Sequence, residues 1–336
     1  MKKKYFLYFY FFDFFIKFFI FFLFIGNSIV HATVITSIRP LGFIASAIAE
    51  GVMPVEILLP NGASPHDYTL RPSDLIRMKK ASILVWIGPE MESFLSSPIS
   101  SLKNREIITL SKVSTIIPLL VDSRKFIHNK NNSILIPLHQ RSEENKSRDI
   151  FLKKKKNGIN KHQVNMHIWL SPKIANCVAI EIYNRLLLLF PNHKKKLDEN
   201  LIIFQSILSE TDRKISLSLS HVKDKGYYVF HDAYRYFEEH YGLKPLGYFT
   251  FDPNIHPGAK TIHNIRSKIM ERKSTCIFME PQFKCTVIKT IFFANKVYIG
   301  LLDPLGTNVP LSKKSYSNFL EIISNQYINC LEKIDD

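Results

Sequence analysis

The chain has 336 residues, enough for two domains that each bury a sizeable core. Its formal net charge is +16, and a charge of that size can indicate a nucleic-acid or membrane-surface partner. No nucleic-acid-binding motif accompanies it, and Lys, Asn, Ile and Phe are abundant throughout, as in proteins from AT-rich genomes. We therefore expect no nucleic-acid partner.

The first 32 residues differ in composition from everything after them. A short run of lysines precedes a nearly unbroken apolar segment over residues 5–25, and small residues ending at Ala32 form an acceptable cleavage site. The segment is long enough to span a bilayer, but Asp13 and Lys17 would be costly at the membrane centre. A cleaved signal peptide over residues 1–32 is therefore favoured over a retained anchor, and the mature protein is expected to be exported.

Four cysteines remain after the signal segment. They are Cys177, Cys276, Cys285 and Cys330. An oxidising compartment permits disulfides, but four cysteines allow three fully paired connectivities, and their positions in the sequence do not choose among these.

Strand-like and helix-like segments alternate from Thr33 to Leu110. The predicted strands are short apolar runs, separated by predicted helices at the spacing of βαβ units. The strands are predicted at Thr33–Ser37, Val55–Leu59, Ser82–Ile87 and Ile107–Leu110, and the helices at Leu41–Glu50, from Ser73 as N-cap onward, and from Glu90 to Leu95. The alternation predicts an α/β fold with a parallel sheet covered on both faces.

The alternation is lost over residues 121–161. This segment holds eleven Lys and Arg against four Asp and Glu, together with several Asn and Ser. The composition indicates a long, basic, solvated insertion without a packed core of its own.

A long helix is predicted near the middle of the chain. A helix that starts at Ser171 and Pro172 ends before Pro191, and apolar residues then recur at spacings of three and four as far as Leu219. Some 28 residues of helix would span roughly 42 Å, the length of a whole domain. We interpret this segment as a strut between two lobes, because a second alternating series follows it.

The second series predicts a second parallel sheet. Its strands are predicted at 226–230, 276–279 and 296–302, and its helices at 233–241, 262–272, 287–294 and 316–331. The expected organisation is a signal peptide (1–32), an N-terminal lobe (33–190) with the basic insertion, a linking helix (191–220) and a C-terminal lobe (221–336).

Three histidines and an aspartate occupy equivalent places in this pattern. His66, His167 and His231 each come just after an extended run and before a helix, and Asp303 does the same. In a two-lobed α/β protein such positions converge on the cleft between the lobes. Three imidazoles with a carboxylate or water suit tetrahedral zinc, although the sequence separations exceed those of any local metal motif.

Five segments resemble the metal-binding segments of ZnuA-type proteins, the periplasmic zinc-binding components of ABC uptake transporters. They are Leu58–Tyr68, Asn165–Pro172, Val229–Tyr234, Cys276–Phe283 and Leu302–Asn308. The resemblance covers nearly the whole mature chain except the basic insertion. It implies two (β/α) lobes joined by one long rigid helix, with zinc bound between them. It also implies a non-enzymatic, monomeric carrier that hands zinc to a membrane permease driven by a cytoplasmic ATPase.

The same resemblance assigns roles to particular residues. His66, His167 and His231 become zinc ligands, and Asp303 matches a fourth, carboxylate ligand whose place water takes in some zinc-binding members. Cys276 and Cys330 match paired cysteines and are expected to form a disulfide, which leaves Cys177 and Cys285 as thiols.

Two features depart from the family pattern. Pro65 stands where some zinc-binding members carry a Glu that approaches the metal. The charged loop of the family is rich in His and acidic residues, whereas the insertion here is basic and offers only His128, His139 and His162. A role for this loop in gathering zinc is therefore not expected.

Two other classes of function can be built on three histidines or on this fold. A zinc hydrolase would need a general base and an open water site, and the chain has neither a His-Glu-x-x-His nor a Gly-x-Ser-x-Gly motif. An adhesin would need an exposed surface for host molecules, which a sequence does not reveal.

Overall fold

The computed structural model describes residues 32–102, 105–122, 164–250, 253, 258–271, 274–283 and 297–334. Several sequence predictions lie outside these residues. They are the signal peptide up to residue 31, nearly all of the basic insertion with its three histidines, the helix at 287–294 and Cys285.

The first lobe is built on a four-stranded parallel sheet. Its strands are β1 (Val34–Thr36), β2 (Val55–Ile57), β3 (Ile83–Trp86) and β4 (Glu106–Thr109), in the spatial order β2-β1-β3-β4. The helices α1 (Arg39–Ile48), α2 (Pro72–Lys80) and α3 (Ser96–Ser101) follow β1, β2 and β3 in the chain. The residues of β1 and β3 are buried throughout, as expected for central strands with both faces covered.

Two helix starts differ from the prediction. The N-cap of α2 is Arg71 rather than Ser73, because Pro72 occupies the first turn and the carboxylate of Asp74 accepts the backbone N–H of Arg71 at 2.9 Å. In the segment 90–95, only a single 3-10 turn from Ser93 forms before α3. The buried Glu92 side chain there accepts the backbone N–H of Ile87 at 2.7 Å, so it binds the end of β3.

Two long helices lie between the strands of the first sheet and those of the second in the chain. They are α4 (Pro172–Leu189), which Ser171 caps through the N–H of Ile174, and α5 (Lys194–Leu219). The 26 residues of α5 span roughly 39 Å. Its buried positions repeat at three and four residues, namely Leu197, Asn200, Phe204, Leu208, Thr211, Ile215 and Leu219. The long helix predicted from this periodicity is therefore present, and a 3-10 turn at Pro191–His193 precedes it.

The second lobe repeats the architecture of the first. Its strands are β5 (Tyr227–His231), β6 (Pro245–Thr250), β7 (Thr275–Met279) and β8 (Val297–Leu301), all parallel and in the order β6-β5-β7-β8. Its described helices are α6 (Arg235–Tyr241), α7 (Ala259–Met270) and α8 (Ser315–Leu331). The sequence did not predict β6, which carries glycine and proline among its residues.

The two lobes share one continuous apolar core. The C-terminal helix α8 packs on α1 and α5, and the rings of Phe43 on α1 and Phe319 on α8 lie 5.7 Å apart between centroids. The predicted disulfide between Cys276 and Cys330 is confirmed, and it ties β7 to α8. Cys177 is a free, half-buried thiol. Among the residues that the structure describes, none of the helices combines the length and the apolar character that crossing a membrane requires.

Glu238 is a buried carboxyl group in the core of the second lobe. It is 4% exposed and accepts hydrogen bonds from the hydroxyls of Tyr227 at 2.9 Å and Tyr327 at 3.1 Å. Burial raises the pKa of Glu238 from 4.5 to about 8, against the lowering effect of the Tyr227 hydroxyl. At neutral pH the folded protein therefore keeps a proton on Glu238 that the unfolded chain has released.

This proton predicts a pH dependence of stability. Between pH 4.5 and 8 the folded state binds more protons at Glu238, so this group lowers the free energy of unfolding as pH rises. The Glu238→Gln variant of the metal-free protein is expected to gain stability relative to wild type between pH 5.5 and 8, by up to about 1.4 kcal/mol per pH unit. Urea unfolding at both pH values measures the difference.

The comparison with wild type is needed because other buried groups also titrate. The matched control is Glu239→Gln, which changes the exposed neighbouring residue of the same helix. Its stability relative to wild type is expected to be the same at both pH values. Equal pH dependence in Glu238→Gln and wild type would contradict the prediction.

Candidate metal centre

Three histidine side chains meet in one cavity. The Nε2 atoms of His66 and His167 are 3.2 Å apart, and those of His167 and His231 are 3.1 Å apart. A tetrahedral zinc with Zn–N bonds near 2.05 Å places its ligand nitrogens about 3.3 Å from one another. The two measured distances match this spacing, and the ligating atoms of all three histidines lie within 4.8 Å of one another, as a shared zinc site requires. Within the described part of the chain, this is the one group of three metal-ligating side chains that converges.

The three histidines are positioned by different local structures: a strand end, the start of a 3-10 turn and a loop. His231 is the last residue of β5, and His167 directly precedes a 3-10 turn at Ile168–Leu170. His66 lies in the loop between β2 and α2, where Gly62 has a φ of +80° and the N–H of His66 donates to the hydroxyl of Ser64 at 3.2 Å. A positive φ is a conformation that glycine adopts without strain, so Gly62 permits the turn that leads to His66.

Two of the imidazoles are oriented by a second hydrogen bond. The Nδ1 atom of His167 lies 3.0 Å from Oδ1 of Asn165, and the Nδ1 atom of His231 lies 2.5 Å from Oε1 of Glu280. When Nδ1 donates to such an oxygen, Nε2 has a free lone pair. Both lone pairs then point toward the shared cavity.

The site lowers the pKa of two of its histidines. Burial, and then the neighbouring His231, lower the pKa of His66 to about 3. Burial, and then the neighbouring His231 and His66, hold the pKa of His167 well below its ordinary value. Since zinc binds neutral imidazole, protons do not compete strongly at these two nitrogens near pH 7. Burial also raises the pKa of Glu280, in opposition to the lowering effect of the neighbouring His231.

Apolar side chains and a few polar ones surround the three nitrogens. The cavity is lined by Ser64, Pro65, His66, His167, Trp169, His231, Glu280, Gln282, Phe283, Pro304 and Leu305. The indole N–H of Trp169 donates to the backbone oxygen of Pro304 at 2.7 Å, which joins the His167 segment to the loop after β8. Residues from both lobes therefore close around the histidines and reduce the access of water.

The structure does not bring Asp303 into the group of ligands. Its Oδ1 atom accepts from Nε2 of Gln282 at 2.8 Å and from the backbone N–H of Leu305 at 3.1 Å, and its Oδ2 accepts from the N–H of Thr307 at 2.6 Å. These bonds direct the carboxylate toward its own loop. Asp303 thus binds the turn that carries Pro304 and Leu305 to the cavity wall, and it is not among the side chains whose ligating atoms converge.

Sequence reasoning assigned no role to Asn165 or Glu280. Glu280 follows the buried strand β7 in the same way that His231 ends β5, so its position at the carboxyl edge of the sheet was a usable signal. Asn165 carried no such signal, because it precedes His167 in an irregular segment. Pro65, the expected departure from the family pattern, lies in the wall of the cavity.

Comparison with known proteins agrees with this arrangement. The family model described as "ZnuA: Zinc-uptake complex component A periplasmic" matches residues 34–330. The chain is 48% identical over 308 residues to the high-affinity zinc uptake system protein ZnuA of Yersinia pestis, covering 91% of this chain and 93% of the relative.

Solved structures show the same fold. The periplasmic zinc-binding protein TroA of Treponema pallidum superposes with a TM-score of 0.69 at 18% identity, covering 89% of this chain and 99% of TroA. A ZnuA variant with residues 138–173 of its own sequence deleted, solved with zinc bound, gives a TM-score of 0.67 at 20% identity and covers 89% and 97% of the two chains. These likenesses confirm the predicted two-lobed α/β fold.

Proposed function

Because the chain belongs to the ZnuA family of periplasmic zinc-uptake components, we propose that it captures Zn²⁺ in the periplasm and delivers it to an ABC permease in the membrane. The family consists of solute-binding transport proteins, so the chain is a carrier and zinc is its cargo. The observation that carries this proposal is the convergence of three imidazole Nε2 atoms at zinc-ligand spacing.

We propose His66, His167 and His231 as the zinc ligands. Imidazole nitrogen suits zinc better than it suits manganese or magnesium, which prefer oxygen ligands. The carboxylate oxygens of Asp303 are occupied by Gln282 and by backbone N–H groups. The fourth coordination position is therefore assigned to a water molecule.

The placement of the ligands suits a carrier. His66 and His167 come from the segments before α2 and α4, and His231 comes from the first strand of the second sheet. A zinc ion bound to all three connects the two lobes. We propose that residues 33–190 and 221–336 form the two lobes, that α5 between them is the strut, and that a closed, zinc-bound form is what the permease recognises.

Export and partners complete the proposal. Residues 1–32 act as a cleaved signal peptide that sends the chain to the periplasm. The partners are the membrane permease and its cytoplasmic ATPase, and the carrier acts as a monomer.

Zinc uptake by cells tests the function directly. A strain that expresses the matching permease and ATPase but lacks its periplasmic zinc-binding protein is expected to regain uptake of ⁶⁵Zn from nanomolar zinc when it exports the wild-type chain. Its uptake is expected to stay at background with the His167→Ala variant exported to the same level. Exported wild-type protein that binds zinc but leaves uptake at background would contradict the proposal.

A further inference from the structure

Asn165 is a buried amide beside the candidate metal centre. It is 5% exposed, and its Oδ1 atom accepts the backbone N–H of His167 at 3.0 Å. The same Oδ1 lies 3.0 Å from Nδ1 of the His167 ring. A single oxygen therefore binds both the backbone and the side chain of one histidine.

The orientation of this amide is fixed by two independent groups. The backbone N–H of His167 can only donate, so the atom that faces it is the oxygen of Asn165. The Nδ2 atom then lies 2.6 Å from the backbone oxygen of Asp232, which can only accept. Both neighbours require the same assignment, so a flipped amide would lose both bonds and bring like groups together.

This orientation determines the tautomer of His167. Because the oxygen of Asn165 faces Nδ1, that nitrogen carries the hydrogen and Nε2 is left with its lone pair. The lone pair faces the Nε2 atoms of His66 and His231. The opposite tautomer would direct an N–H bond into the centre and leave Nδ1 facing an oxygen without a hydrogen between them.

Asn165 also connects the segments that carry two different histidines. Asp232, which receives the amide hydrogen bond, is the residue directly after His231. The backbone of Asn165 adds two more contacts, since its N–H donates to the oxygen of Val121 at 3.0 Å and its oxygen accepts from the hydroxyl of Tyr236 at 2.6 Å. The segment before α4 is thereby held against the end of β5 and the start of α6.

We propose that Asn165 is a positioning residue that sets the His167 tautomer and holds the His167 and His231 segments together before zinc arrives. The inference rests on the proposed function, because it assumes that these histidines bind zinc. Hydrogen-bond partners of metal-ligating histidines typically contribute 10- to 100-fold in metal affinity. The Asn165→Ala variant is therefore expected to bind zinc about 10- to 100-fold more weakly than wild type.

The tautomer is measured by NMR. In metal-free wild-type protein labelled with ¹⁵N at histidine, the two ring nitrogens of His167 are expected to give the pattern of a single tautomer with the hydrogen on Nδ1. In Asn165→Ala, the signals are expected to shift toward the tautomer with the hydrogen on Nε2. Asn165→Asp is expected to restore the wild-type pattern at His167, because a carboxylate oxygen accepts the same two hydrogen bonds from His167, although this variant loses the bond to the backbone oxygen of Asp232.

Asn200→Ala is the matched control for loss of a buried amide. Asn200 lies on α5, away from the cavity, and is 3% exposed. Its side-chain amide donates to the backbone oxygens of Ile48 at 2.9 Å and Glu50 at 2.8 Å. This variant is expected to lose stability but to keep wild-type zinc affinity and the wild-type His167 tautomer.

The results separate this inference from the proposed function. Failure of the wild-type protein to bind zinc would contradict the function itself. If wild type binds zinc, the role of Asn165 is overturned when either the zinc affinity or the His167 tautomer of Asn165→Ala stays at its wild-type value. If Asn165→Ala does not fold, a Nε2-protonated His167 in folded Asn165→Asp overturns it.

Discussion

Replacing any one of His66, His167 and His231 by alanine is expected to weaken zinc binding more than 100-fold. Each replacement removes a nitrogen that lies at ligand distance from a common centre, so the loss exceeds the 10- to 100-fold cost of removing only a hydrogen-bond partner of a ligand. A 100-fold loss corresponds to about 2.7 kcal/mol of binding free energy. Competition against a chromophoric zinc chelator at pH 7 measures these affinities.

His221→Ala is the control for this series. His221 is an exposed histidine paired with Glu332 at 3.0 Å, and it does not line the cavity. Its replacement is expected to leave zinc affinity at the wild-type value. Wild-type affinity in His66→Ala, His167→Ala or His231→Ala would remove that residue from the site.

Loss of the disulfide is expected to cost about 4 kcal/mol of stability. Cys276 and Cys330 are 54 residues apart, and cross-linking them removes loop-closure entropy from the unfolded chain. The double variant Cys276→Ala and Cys330→Ala is therefore expected to unfold at a clearly lower urea concentration than wild type, since the link between β7 and α8 is lost. Urea unfolding under non-reducing conditions gives the difference.

Cys177→Ala provides the comparison for the disulfide variant. It removes a half-buried free thiol and leaves the cross-link intact. We expect a much smaller change in the free energy of unfolding for this variant. A loss below about 1 kcal/mol in the double variant would mean that the cross-link adds little to the stability of the second lobe.

The alternation of strands and helices was readable from the sequence because buried parallel strands are short apolar runs. This is why most strands of the two sheets agree with the prediction. The long helix α5 agrees because its buried residues recur at spacings of three and four. The strand β6 was missed because Pro245 and Gly247 interrupt its apolar pattern. The helix expected at Glu90 starts later because the buried Glu92 side chain binds the end of β3, a contact that periodicity does not encode.

The metal centre was only partly predictable. His66 and His167 are 101 residues apart and His167 and His231 are 64 apart, so family resemblance rather than local spacing joined them. Asp303 occupies an equivalent place at a strand end, but a carboxylate there can bind either a metal or the N–H groups of its own loop. The sequence does not distinguish these two uses.

We propose that one zinc ion is held by the three Nε2 atoms between the lobes. A crystal structure of the zinc-loaded mature protein, with anomalous data collected on both sides of the zinc absorption edge, tests it most directly. We expect one strong zinc peak about 2.0–2.1 Å from the Nε2 atoms of His66, His167 and His231. A zinc peak elsewhere, or coordination that omits any of the three histidines, would contradict this arrangement.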